Sequence, residues 1–479
     1  MSEKKSTGMH PVTPDEACVQ ARGLTRQGNH AQAERILLEV IRAAPGHAMS
    51  MHEYGLLKLG QGRVEEALGL LRRAAALAPD EASYHGSLGI ALYQLDRFSE
   101  AEAAYRRALE IRPNYPKALN NLGSLLRVSG RAAEAAVVCR RAVNIQPDYV
   151  EAYYNLARAH RFQPGDPLIK ELERQLARQP RDGAGRNHLL VALGKANDEI
   201  GLYDKAFEYY RKANRERARR VRFDPAVQRA RIKAIKSAFP EPSLCPDRTP
   251  GPVTPVFVVG MPRSGKTLVE SLLAQHPAVI TLGESQEFNQ ALEGVLKASG
   301  NTEPFPVYLR SLTPALIRAA GARYLDAVCH RRQLPGARFY VNTLPGNYSR
   351  LGLIFRAFPS VKVIHCTRDP LDQCLFIYFK IFTIGHEYSS DLEDLAAYYL
   401  NYRDMMAHWK RLYDERILTM DYETLVRAPQ ETGCRLYAHC GLDLPPAGLD
   451  AEFTIDQIGH ARHYEAQLAP LYAALGSLS

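Results

Sequence analysis

The chain has no CxxC pair, no run of eighteen apolar residues, and no apolar core of seven or more in its first thirty positions. Each absence excludes a class of protein. Eight cysteines (Cys18, Cys139, Cys245, Cys329, Cys366, Cys374, Cys434 and Cys440) are scattered without the paired or histidine-linked spacing of a zinc tetrahedron or a disulfide framework. No transmembrane helix or secretory leader is expected, so a reducing cytoplasm is the expected location. A hydrophobic fraction of 46% and a charged fraction of 24% are those of folded soluble chains. At 479 residues more than one domain is expected, since single cores stop growing near roughly 250–300 residues.

The formal net charge is +9, and one stretch accounts for it: Arg211 to Lys236 carries eleven Lys or Arg against Glu216 and Asp224. Such a run is most often a solvated helix face, and no nucleic-acid partner is inferred from it.

Repetition dominates the first half. Pro45, Pro79, Pro113 and Pro147 recur every 34 residues, as do Ala33, Ala67, Ala101 and Ala135. Small residues mark a first helix (Gly55, Gly89, Gly123, Ala157) and alanines a second (Ala74, Ala108, Ala142). Small side chains let antiparallel helices cross closely, and proline, which lacks an amide hydrogen, ends the second helix. The segment from Ser87 closely resembles the tetratricopeptide family, with Leu88, Gly89, Ala101, Tyr105, Ala108 and Pro113 at its motif positions. About four repeats are expected over 15–160. A degenerate fifth, with Ala192, Gly194, Gly201, Ala206 and Ala213, follows a Pro/Gly-rich loop (QPGDP, then QPRDGAGR). The resemblance implies a concave groove that holds an extended peptide, or else a structural spacer or dimerisation arm.

The basic helix and a linker, SAFPEPSLCPDRTPGPVTP, complete an intermediate segment over 161–249. The chain then turns apolar. Val256 to Met261 reads as a buried parallel strand and Lys266 to Gln275 as a helix, placing PRSGKT on a strand-to-helix turn where free amides and the helix dipole favour an anion. GMPRSGKT (Gly260 to Thr267) satisfies GxxxxGK[ST]. Taken alone it points to a P-loop kinase or NTPase in which Lys266 reaches outer phosphates, Thr267 helps hold magnesium, and Asp369 and Asp421 stand at strand ends.

The surrounding residues point elsewhere. VGMPRSGKTLVESLLAQHP, then Gly283-Glu284-Ser285, FPSVKVIHCTRDPLDQCLFIYF and MDYETLV resemble the sulfotransferase superfamily over about 186–475. The likeness is strongest to bacterial sulfotransferases fused to tetratricopeptide repeats and more distant to the tyrosylprotein sulfotransferases. It implies an α/β domain over 250–475 with a central parallel sheet, behind the helical solenoid. It also implies a 3′-phosphoadenosine-5′-phosphosulfate donor, no metal, and a hydroxyl acceptor, with protein or peptide tyrosine leading. The loop Arg263, Ser264, Gly265, Lys266, Thr267 and Leu268 would hold the 5′-phosphosulfate, Arg263 also serving catalysis, and Arg368 would hold the 3′-phosphate. Lys380 and Tyr422 match further nucleotide contacts, and Glu284, with Glu287 in reserve, stands where a general base is needed. A homodimer is open.

Four departures from that family stand out. Its PRSGTT carries Lys266 here, and its DKxP is Asn342-Thr343-Leu344-Pro345, so the leaving-group lysine is missing. Its 3′-phosphate serine is Phe376, and the closing segment TIDQIGHARHYEAQLAPLY is several residues short. Lys266 is expected to replace the lost lysine. The opposing expectation is a domain that binds without catalysing and acts as a scaffold.

Overall fold

The computed structural model describes residues 12–180, 183–219, 222–242, 253–331, 336–382, 385–445, 449–450 and 457–475. Cys245, most of the linker, and the start of the closing segment lie outside the described residues. The chain divides into two compact units, Met1–Tyr209 and Tyr210–Ser479.

The first unit is built of helix pairs: α1 (Pro14–Arg26) with α2 (His30–Ala43), α3 (Ala48–Gly60) with α4 (Val64–Leu77), α5 (Ala82–Gln94) with α6 (Phe98–Ile111), and α7 (Pro116–Val128) with α8 (Ala132–Ile145). The glycines are where the paired helices cross. A Cβ on Gly55 would stand 2.7 Å from Leu71, on Gly89 2.5 Å from the Tyr105 ring, and on Gly123 2.2 Å from Cys139 Sγ. One contact, sixteen residues apart in sequence, thus recurs in three pairs. The prolines act one residue early: Ala44, Ala78, Arg112 and Gln146 each precede a proline and leave the helical region with ψ of 79°, 76°, 89° and 89°, as crowding by the proline ring requires.

Beyond α9 (Val150–Ala159) the expected loop between QPGDP and QPRDGAGR is instead a helix, α10 (Pro167–Arg178). Asp166 caps it by accepting from Leu168 N, with Pro167 at its first position. The proline that reads as a loop signal is a helix start. Next come α11 (Ala184–Glu199) and α12 (Tyr203–Ala218).

The basic run is not one solvated helix. It divides between the end of α12 and α13 (Pro225–Ala238), and several of its cations are engaged. Arg217 donates to Ser389 Oγ and to the Lys380 carbonyl, Lys236 pairs with Asp404 at 2.7 Å, and Arg231 lies 5.0 Å above the Phe305 ring.

The second unit holds five parallel strands in the order β2-β3-β1-β4-β5: β1 (Thr254–Val259), β2 (Val279–Thr281), β3 (Phe339–Asn342), β4 (Lys362–Thr367) and β5 (Ile417–Asp421). Alternation along β1 decides what covers each face. Val256 and Val258 join one cluster with α14 (Lys266–Leu273), α20 (Tyr422–Arg427) and α21 (Pro429–Cys440). Phe257 points the other way, to Phe288 of α15 (Glu287–Ala298), Tyr324 of α16 (Pro314–Arg331), and Phe358 just after α17 (Leu351–Ala357). Three more helices, α18 (Pro370–Tyr378), α19 (Leu392–Tyr413) and α22 (Ala469–Leu475), complete the unit. With β1 flanked by β3 and β4, the chain reverses its direction of winding there, and open α/β sheets collect ligands at the carboxyl ends of strands beside such a switch.

Candidate functional site

A cavity of about 1180 Å³ opens at that place, and the end of every strand contributes to it. From β1 comes the loop Gly260–Gly265, from β2 Gly283 and Glu284, from β3 Thr343, from β4 Arg368, and from β5 Tyr422. Five cations line it (Arg263, Lys266, Arg350, Arg368, Lys380) against two carboxylates (Glu270, Glu284). Such a wall suits a polyanion.

The loop is held in an uncommon shape. Gly265 caps α14 with φ +91°, and a Cβ there would sit 2.8 Å from the Tyr422 ring, so both conformation and close approach require glycine. Arg263 is also left-handed, with φ +67°, a cost of order 1–3 kcal/mol for a non-glycine residue that the surrounding bonds sustain. Gln373 donates to the Pro262 carbonyl and Arg368 to the Arg263 carbonyl.

Lys266 opens α14, is buried, and donates to the Met261 carbonyl at 3.1 Å. Burial pushes its pKa down, opposed by the nearby Glu284. Arg368 is 5% exposed and clamped on three sides. Its guanidinium lies 4.2 Å over the Tyr422 ring and 4.6 Å over Phe376, and it also donates to the Gln457 carbonyl at 2.7 Å. Its Nε is buried without a hydrogen-bond partner. Burial lowers its pKa. Phe376, which stands where the resembled family has a serine, underlies both Arg368 and Arg263 (5.6 Å) and stacks on His460.

Of the residues singled out in the sequence, Arg263, Gly265, Lys266, Thr267, Leu268, Glu284, Arg368, Lys380 and Tyr422 line the one cavity. Ser264 does not: it is 1% exposed, buried under the loop where a Gly260 Cβ would meet its Oγ. Glu287, the reserve base, is 8% exposed at the start of α15 and is absent from the wall.

Sequence reading missed several parts. Glu270 sits one turn after Lys266 on the same helix face, accepting from Gly283 N and Thr343 Oγ1, and so ties the ends of β2 and β3 to α14. Its spacing from Lys266 was a usable signal. Asn342 bonds Ser285 O, Leu344 N and Asn347, bracing the segment that replaces DKxP. Asp372, wholly buried, accepts from Gly459 N and Ala461 N and thereby pins the closing segment. An aromatic wall of Tyr348, Phe382, His386, Tyr388 and Tyr398 forms another side of the cavity. Tyr388 and Tyr398 stack at 3.6 Å, Tyr348 and Tyr398 share a hydrogen bond, and His386 Nδ1 bonds Tyr388 Oη. Burial lowers His386 to about 4, so its ring is neutral at pH 7. Among the described residues no group of three or more His, Cys, Asp or Glu is placed to hold a metal, and no helix is long and apolar enough to cross a membrane.

Residues 255–446 match the family model described as sulfotransferase family, and 18–82, 52–116 and 87–150, with 188–218, match tetratricopeptide repeat models. The chain is thus similar to the sulfotransferase family over 255–446, behind a helical array similar to tetratricopeptide repeats. An uncharacterized protein of Aquifex aeolicus (strain VF5) is 30% identical over 302 residues, which are 59% of this chain and 38% of that protein. Among solved structures, PilW, a type IV pilus biogenesis factor, is 20% identical with a TM-score of 0.36, covering 42% of this chain and 92% of its own. YrrB, described as a TPR protein with an unusual peptide-binding site, is 17% identical with a TM-score of 0.29, covering 41% and 91%.

Proposed function

We propose that the second unit transfers a sulfuryl group from 3′-phosphoadenosine-5′-phosphosulfate to a hydroxyl, with a protein or peptide tyrosine as acceptor presented by the repeats. One observation carries this reading: a single cavity at the sheet's switch point joins a cation-rich phosphate loop and Arg368 to a carboxylate, Glu284, and a wall of aromatic rings. The cationic side fits the donor's two anionic ends. The rings fit a phenol.

In this reading the acceptor oxygen bonds to sulfur while the bond from sulfur to the 5′-phosphate oxygen breaks, its electron pair leaving on the phosphate. The acceptor proton passes to Glu284. Lys266, whose ammonium already faces the loop carbonyl, neutralises the leaving oxygen in place of the lysine missing at Thr343, and Arg263 supports the same charge. Arg368 and the Tyr422 ring hold the ribose-phosphate end, with Lys380 on the same wall. A phenol has an ordinary pKa of about 10, so a positioned base has work to do. Glu270 is engaged by Gly283 N and Thr343 Oγ1; His386, neutral and on the aromatic wall, is a further proton acceptor within the cavity, and comparing Glu284→Gln with His386→Gln decides between it and Glu284.

The NTPase alternative needs aspartates for magnesium. Asp369 instead caps α18, accepting from Leu371 N and Asp372 N, and Asp421 caps α20, accepting from Thr424 N. Both carboxylates are engaged in helix starts, which weighs against that role.

The test is transfer of labelled sulfate from the donor to a tyrosine peptide and to a small phenol. Label on either supports the reading. Donor binding without transfer to any hydroxyl in a cell extract favours the scaffold, and hydrolysis of ATP with magnesium favours the NTPase.

A further inference from the structure

A second, smaller cavity of about 160 Å³ lies in the second unit, walled by β4, the start of α18 and one face of α19. At roughly 30 Å³ per water its volume is that of about five waters, room for a small ion and far too little for a nucleotide. Among the described residues its wall carries two cations, Arg403 and Lys410, and no carboxylate.

The alternation of β4 builds one side of it. Ile364 and Cys366 join the core cluster under α14, so His365 between them turns to the opposite face of the sheet, where its Nε2 meets Tyr402 Oη of α19 at 2.6 Å. Arg403, Met406 and Lys410 follow at intervals of three and four, the spacing of one helix face, and share the wall. Both cations act on their surroundings. Burial and then Lys410 hold His365 down to about 4, so its ring is neutral at pH 7, while burial raises Tyr399 and Arg403 works against that rise. Of the acids near them along α19, Asp404 pairs with Lys236 at 2.7 Å and Asp414 stays 3.9 Å from Lys410.

The same wall braces the loop after β1. Gln373, buried, lines the small cavity and donates to the Pro262 carbonyl at 3.2 Å. Tyr402, which bonds His365, is also bonded by the Met261 backbone. Two residues of the small cavity therefore hold the loop that lines the large one. Two cations converging on a space of ionic size, with no acid on the wall, favour a doubly charged oxyanion, since a guanidinium fork takes two of its oxygens and an ammonium a third.

We infer that Arg403 and Lys410 hold a free tetrahedral oxyanion, inorganic sulfate or phosphate, in this cavity, and that its presence alters nucleotide binding through Gln373 and Tyr402. The anion site stands independently of the function proposed above, and the coupling rests on that function.

The full chain, isotope-labelled at its histidine rings, is titrated at pH 7 with sodium sulfate, sodium phosphate, and sodium chloride at equal ionic strength, and the His365 resonance is identified by its loss in His365→Gln. Sulfate or phosphate moves that resonance along a saturating curve and chloride does not; the anion that saturates at the lower concentration is the ligand. Arg403→Gln and Lys410→Gln, both at exposed positions, each weaken the response by about tenfold or more, Arg403→Lys recovers part of it, and Arg263→Glu in the nucleotide loop leaves it in place. Unchanged circular dichroism shows that the variants remain folded. An identical drift in all three salts, or a response that survives in both cation variants, overturns the site. Saturating anion then changes the affinity for adenosine 3′,5′-bisphosphate by about fivefold or more in the native chain and leaves it unchanged in Arg403→Gln. No change in the native chain, or the same change in the variant, which is competition within the large cavity, overturns the coupling. A chain whose His365 responds to the anion but which binds no bisphosphate sinks the nucleotide reading and the coupling with it, and leaves the anion site standing.

Discussion

Each half of the molecule buries a lysine, and the two are treated differently. In the repeats Lys58 is wholly buried, paired to Glu34 at 2.5 Å and resting 4.7 Å over the Tyr54 ring. Burial is the largest single influence and works to lower its pKa, but the bonds and charges of Glu34 and Tyr54 together outweigh it, so the pKa rises. In the strand-to-helix loop the bonded partner of Lys266 among the described residues is the Met261 carbonyl; burial prevails there and the pKa falls. The first ammonium is spent on holding helices together. The second is held in place with its charge unmatched at close range, which is the condition of a group kept for a ligand. The arginines divide in the same way, many of those in the repeats being paired to carboxylates while Arg368 is clamped between aromatic rings and backbone carbonyls.

The sharpest way to break this comparison is Lys266→Thr. If the lysine acts on the leaving oxygen, turnover falls by roughly 100-fold or more while donor affinity changes by less than about tenfold. Unchanged turnover with donor still bound removes the compensation for the lysine missing at Thr343. Lys58→Ala has the opposite profile: stability falls by about 2 kcal/mol in urea denaturation, below the range for fully buried pairs because Glu34 keeps a 27% exposed side chain, and donor binding is untouched. A loss of donor affinity in that variant contradicts the division of roles.

Acid should destabilise the second unit through histidines that the fold holds neutral. His365, buried and bonded to Tyr402 Oη, is lowered by burial from 6.5 to about 4. Between those values the unfolded chain binds more protons than the folded one. Stability is therefore full above about 6.5 and lost as pH falls toward 4, by on the order of 2 kcal/mol at pH 5. His365→Gln, which keeps a partner for Tyr402, should flatten that slope in melts taken from pH 7 to 5. The smallest effect is expected at a surface pair: Arg72→Gln, which leaves the half-exposed Glu100 paired to Arg97, should leave the Tm within about 1 °C.

How much of this was legible beforehand follows the same division. The 34-residue period is local, so prolines, alanines and crossing glycines were each readable, and Gly55, Gly89 and Gly123 lie where paired helices cross. Where the period lapsed the reading failed, and α10 was taken for loop because its capping Asp166-Pro167 also spells a turn. In the second unit the loop after β1 and the arginine after β4 were visible because each sits beside an apolar strand. Glu270 and Asp372 were not, since their partners at Gly283 and Gly459 are brought near only by the completed sheet or by the closing segment. That the Ser264 side chain turns inward was not legible, because a loop motif does not say which of its side chains do so.

The central claim is that the cation-lined end of the sheet grips a nucleotide carrying both a 5′ and a 3′ anion. Calorimetric titration of adenosine 3′,5′-bisphosphate into the full chain without metal, set beside ATP with magnesium, tests it directly, with Arg263→Glu and Arg368→Glu as comparisons. The account predicts tighter binding of the bisphosphate and a loss of at least tenfold in each variant. Equal affinity in the variants, or a preference for ATP with magnesium, contradicts it.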